Sequence, residues 1–133
     1  MNKLGELLGW LTVIFYSASV ASFFLKAIYK RFSSVIKNDL HINRPYTALM
    51  KFAIRYHRLF GGLAIACLAT HFYIQWTTRG FNSSGALAAI VLIAQVTLGI
   101  IGAYVVKKRH GLWFVMHRTI AVILFVAIVR HIL

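Results

Sequence analysis

Acidic residues are nearly absent from this 133-residue chain: Glu6 and Asp39 stand against fifteen Lys and Arg. Neither lies in an apolar run, so the hydrophobic segments hold no carboxylate to complete a protein-only zinc or iron shell. A single cysteine, Cys67, excludes an intramolecular disulfide and reads as a packing residue in mid-membrane. No hydrophilic block is large enough to form a further domain, and no nucleotide-binding or flavin-binding motif is present. The basic excess has no nucleic-acid motif to accompany it.

What is abundant is apolar surface: 60% of the residues are hydrophobic and the mean hydropathy is +0.76, well above the usual globular range. Runs free of Lys, Arg, Asp and Glu extend over Leu7–Leu25, Leu59–Thr78 and Phe81–Val106, each close to or above the ~20 residues that span a bilayer. A fourth, Leu112–Val129, is interrupted only by His117 and Arg118 near its start. The sequence therefore predicts an all-α fold, an integral membrane four-helix bundle forming a single domain over 1–133, with helices at about 7–29, 51–78, 83–106 and 112–132. Its first partner is membrane lipid. The first run is too long for a signal-peptide core and lacks a clear small-residue cleavage site, so it reads as a retained helix.

The basic residues are sorted by connection. Lys26, Lys30, Arg31, Lys37, Arg44, Lys51, Arg55 and Arg58 flank the first, and Lys107, Lys108, Arg109 and Arg118 the third, whereas Lys3, Arg79 and Arg130 lie on the other side. The positive-inside rule then puts both termini outside and the basic connections in the cytoplasm, as in a bacterial inner (plasma) membrane. Attraction to anionic lipid accounts for the same charges. Trp10, Tyr73, Trp76 and Phe81 fall where an outer aromatic belt is expected. In the first connection, Phe32, Val35, Ile36 and Leu40 follow a helical stripe that extends the first helix, lies on the membrane surface or docks a soluble partner, with Pro45 as its boundary.

Within the apolar runs the polar residues that need explaining are histidines. His57 and His71 are fourteen residues apart, and so are His117 and His131. That interval displaces two side chains by ~21 Å along a helix and leaves them ~40° apart around it. The second and fourth helices run in the same direction, so His57 and His117 share one depth, toward the cytoplasm, and His71 and His131 another. The segments "HRLFGGLAIACLATH" and "HRTIAVILFVAIVRH" echo one another, as two hairpins in parallel repeat would.

An imidazole in hydrocarbon is costly and by default functional. Two histidines alone leave a metal short of ligands, and haem removes that deficit: the porphyrin supplies four nitrogens and one histidine from each helix completes the axial pair. The expectation is two haem b groups (iron protoporphyrin IX) between the second and fourth helices, one on His57 and His117 and one on His71 and His131. Gly61, Ala64 and Ala121, on the histidine faces, would admit a flat macrocycle or simply pack; Gly99 and Gly102 read as packing residues. Arg58 and Arg118 each follow a proposed ligand and would either pair with haem propionates or mark the membrane boundary. Arg79 and Arg130 are the weaker outer candidates. Each axial imidazole is expected to give its other N–H to a carbonyl or to water. His41 and His110 read as loop residues.

The paired helices resemble the bis-haem core of membrane cytochromes b. "YHRLFGGLAIACLATH" and "WFVMHRTIAVILFVAIVRH" are especially similar to the ferric-reductase-like transmembrane domain and, more loosely, to cytochrome b561 and the respiratory cytochromes b, over roughly residues 51–133. The resemblance implies single-electron transfer across the membrane, from a cytoplasmic-side donor or quinol to an outer acceptor. Those families commonly have six spans where this chain has four, and it carries no donor domain. It is expected to be an electron-carrier or oxidoreductase subunit, in a larger complex or a homo-oligomer, rather than a complete enzyme. Two other classes stay open: a transporter or proton or metal relay using the histidines, and an assembly subunit in which they only hydrogen-bond between helices.

Overall fold

In a computed structural model of the chain the residues described are 3–106 and 111–132. Their regular elements are all helical: α1 (Lys3–Arg31), α2 (Ser33–Asn38), α3 (Leu40–Arg79), α4 (Ser83–Ile100), a π-helical turn over Ile101–Val105, and α5 (Leu112–Ile132). Four stretches are long and apolar enough to cross a membrane: Lys3–Arg31, His41–Arg79, Ser83–Val105 and Leu112–Ile132. Ile90, Ile93, Phe125 and Val126 point outward from them, as suits helices whose solvent is lipid. The proposed belt residues Trp10, Tyr73, Trp76 and Phe81 are likewise exposed. Lys107, Lys108, Arg109 and His110 lie outside the described residues.

Helix ends follow local chemistry. Glu6 stands in the first turn of α1 and Lys30 and Arg31 in its last, each of the sign that favours the helix dipole. The Asp39 carboxylate accepts the His41 N–H (2.9 Å) and the Asp39 carbonyl the Asn43 N–H (2.8 Å), which starts α3 at Leu40. Pro45 therefore does not bound the first connection; it lies inside α3. So near the start, its missing N–H forgoes one bond, to the His41 carbonyl, and its fixed φ is already helical. α1 stops at Arg31 and α2 is a separate six-residue helix. Of the expected stripe Ile36 is buried, while Phe32 and Val35 are exposed.

Gly80, at φ 80°, closes α3 by donating its N–H to the Trp76 carbonyl (3.1 Å), a conformation glycine adopts without a Cβ penalty. Two residues later Asn82 caps α4, its side chain accepting from the N–H groups of Ser84 (3.0 Å) and Gly85 (3.1 Å).

The chain forms two units, Leu11–Ala64 and Met1–Trp10 with Ile65–Leu133. In the first, the Tyr46 hydroxyl donates to the Leu25 carbonyl (2.6 Å), Tyr46 stacks on Tyr29, and Ala53 and Ala64 are buried. In the second, α4 packs along α5. Ala88, Leu92 and Gln95 of α4 and Gly102 of the π-helical turn are buried, and Gly85 and Gly99 fall in the same three-and-four spacing, facing His131 and His117. Leu124, midway between those histidines, is fully buried. Fourteen residues are two heptads, so a left-handed supercoil returns both histidines to one face.

Candidate functional site

Each histidine of α3 is held by the backbone of α1. Nδ1 of His57 lies 2.8 Å from the Ser19 carbonyl and 3.0 Å from the Ser19 hydroxyl, which itself donates to the His57 carbonyl at 3.4 Å. Nδ1 of His71 lies 2.7 Å from the Gly5 carbonyl. A carbonyl only accepts, so both Nδ1 atoms carry a proton, and in that tautomer of the imidazole the lone pair is on Nε2. Gly5 and Ser19 are themselves fourteen residues apart. Close approach explains the neighbouring glycine: a Cβ on Gly9 would stand 3.0 Å from Cε1 of His71.

The histidines of α5 are held by side chains of α4. Nδ1 of His131 lies 3.0 Å from the Ser84 hydroxyl, whose own proton goes to Oδ1 of Asn82 at 2.7 Å. A Cβ on Gly85 would stand 3.0 Å from Cε1 of His131. His117 is set otherwise: its Nε2 faces the Nε2 of Gln95 at 3.2 Å, and Trp113 lies beside it with ring centres 6.5 Å apart. Gly99 and Gly85, the glycines facing the two rings, again differ by fourteen.

Within the Met1–Trp10 with Ile65–Leu133 unit, His71 and His131 come together: their ring centres are 6.4 Å apart, with planes at 80°. Two imidazoles bound through nitrogen on opposite sides of one metal, at about 2 Å each, put their ring centres roughly 6 Å apart. The spacing and the anchored Nδ1 atoms suit a shared metal held through both Nε2 atoms. Among the described residues no three His, Cys, Asp or Glu side chains are grouped to hold a metal by themselves. A metal shared by His71 and His131 would need further ligands from outside the chain, and a haem macrocycle is one group whose donors are compatible with a histidine pair.

No family model, curated protein or solved structure matches the chain. The chemistry of the site therefore rests on its own residues.

His57 belongs to the Leu11–Ala64 unit and His117 to the other. Arg58 is exposed on α3. Arg118 is exposed on α5 and lays its guanidinium over the Phe114 ring, 4.1 Å from the centroid, a cation–π contact one turn away on its own helix. Arg79 faces Glu6 at 3.4 Å, both exposed, and Arg130 is exposed near the end of α5. Of the small residues, Ala64 is fully buried and a Cβ on Gly61 would lie 3.8 Å from the Ser19 hydroxyl. Gly99 and Gly102 pack against side chains of α5, His117 and Trp113.

The groups that hold the histidines, Gly5, Ser19, Ser84 with Asn82, and Gln95, were not anticipated from the sequence. The signal was available in the repeated interval. Gly5 and Ser19 on α1, and Gly85 and Gly99 on α4, carry the same fourteen-residue spacing as the histidines they face.

Proposed function

We propose that the chain is a b-type cytochrome that carries single electrons across a membrane through two haem b groups. The carrying observation is the His71–His131 pair, with ring centres 6.4 Å apart and both Nδ1 atoms engaged. Held by His71 and His131, a haem would supply outer-sphere, one-electron exchange. A second group, on His57 and His117, is proposed from the repeated fourteen-residue interval alone.

The protein's own residues do the rest. The Ser19 and Gly5 carbonyls hold the α3 rings through Nδ1–H, the tautomer in which Nε2 would act as the ligand, and Ser84 does so for His131. Arg58 and Arg118 are the basic groups adjoining the His57 and His117 ligands, where propionates would require cations. Lys26, Lys30, Lys37 and Lys51 are exposed in the Leu11–Ala64 unit. They supply the charge that would receive an acidic cytoplasmic donor, or a membrane surface close to a quinol; an outer acceptor completes the path.

The test is a reduced-minus-oxidised visible spectrum of the protein purified from haem-replete cells, with haem counted per chain. Two low-spin b-type haems are expected. His71→Ala and His131→Ala should remove the same one, and His57→Ala and His117→Ala the other. A colourless wild-type protein would refute the proposal.

A further inference from the structure

His71 and His131 face one another, but their Nδ1 atoms are held by different kinds of acceptor. The Gly5 carbonyl has only lone pairs to offer His71. The Ser84 hydroxyl facing His131 is ambivalent: it can accept from Nδ1–H or, turned round, donate to a bare Nδ1. Asn82 removes the ambiguity. Its Oδ1 receives the hydroxyl proton at 2.7 Å and is itself held by the backbone N–H groups of Ser84 and Gly85, at 3.0 and 3.1 Å. Ser84 can then only accept from His131, which keeps the His131 proton on Nδ1 and its lone pair on Nε2. The cap that starts α4 thus also governs a ring on α5.

We infer that Ser84, oriented by Asn82, is the positioning residue that selects the tautomer and ligand strength of His131 and so sets the redox potential of the His71–His131 site. The inference rests on the proposed haem function. An acceptor on Nδ1–H makes an imidazole a stronger donor through Nε2, which favours the oxidised metal and lowers the potential. The site's two ligands differ in this respect: a backbone carbonyl serves His71 and cannot be removed by substitution, whereas a side chain serves His131 and can be exchanged.

The experiment is a potentiometric titration of the detergent-purified holoprotein, following each haem optically and by the low-temperature resonance of its ferric form. Ser84→Ala places a good helix former in the first turn of α4 and leaves both histidines in place. The expected result is a rise in the potential of one haem with the other unmoved, and a return to the wild-type value in Ser84→Thr. Asn82→Ala keeps Ser84 but frees its proton, and should shift the same haem in the same direction by less. Loss of that one haem in Ser84→Ala, with retention in Ser84→Thr, is the stronger form of the same result. Unchanged potentials in both Ser84→Ala and Asn82→Ala, or an equal shift of both haems, would overturn the inference while leaving the cytochrome reading intact. A wild-type protein without haem overturns both.

Discussion

Replacing Gly102 with alanine adds one methyl group where the Trp113 ring already lies. A Cβ there would overlap Cζ3 and Cε3 and stand 2.7 Å from Cη2, against a favourable carbon–carbon separation of about 3.5–4.0 Å. The ring must move by more than an ångström, and it is a large group on the α5 face, one turn from His117, with which its centre makes a 6.5 Å approach. Overpacking of this kind costs about 1–3 kcal/mol. The better helix propensity of alanine returns at most about 1 kcal/mol, and less inside the π-helical turn, where the Val106 N–H reaches back to the Ile101 carbonyl. A net loss of roughly 1–2 kcal/mol follows from these two magnitudes. Gly62 is the matched control: a Cβ there meets nothing within 4 Å, so Gly62→Ala should keep the propensity gain of up to about 1 kcal/mol. Thermal unfolding of both variants and the wild type in one detergent reads the difference as shifts of a few degrees in opposite directions. If Gly102→Ala were as stable as wild type, or the two variants moved together, the close Gly102–Trp113 packing described here would be wrong.

Removing the Asn82 side chain should cost about 1 kcal/mol of stability through the lost cap, read by the same melts; an unchanged melting temperature would mean that the cap contributes nothing. Glu6→Gln should change stability by less than about 1 kcal/mol, because the Arg79 pair is exposed; a larger loss would assign that pair a structural role. Gly9→Val pushes a branched side chain toward His71, whose Cε1 already stands 3.0 Å from the Cβ position. It should lower haem occupancy at the His71–His131 site in a haem count by spectrum, and full occupancy would count against the close fit of α1 to that ring.

The four spans were legible because lipid imposes both a length and a hydropathy on any segment that crosses it. The starts of α4 and α5, Ser83 and Leu112, fall where the charge-free runs place them. α3 begins at Leu40, well before its apolar run, since hydropathy reports where a helix meets lipid and not where its hydrogen bonds begin. Asp39 carries the local signal for that start, and Pro45 masks it. The histidines were legible because imidazole is conspicuous in an apolar run, and the interval they share survives as the His71–His131 approach. Their supports were legible only as a repeated interval: a glycine carbonyl has no side-chain signature, and Ser19, Ser84 and Gln95 become meaningful only when the register between neighbouring helices is known. The same holds for Arg118, whose place over Phe114 depends on which rotamer wins at the end of a helix.

The matched fourteen-residue intervals constrain the length of the chain more tightly than its composition. Deleting one apolar residue between His117 and His131 would leave the segment long and greasy enough to span a bilayer, yet it would turn His131 by about 100° and draw it about 1.5 Å along the axis, away from Ser84 and His71. Relatives that preserve this arrangement should therefore differ freely in which apolar residues fill the interval while tolerating no insertions or deletions within it, and length changes should gather in the connections.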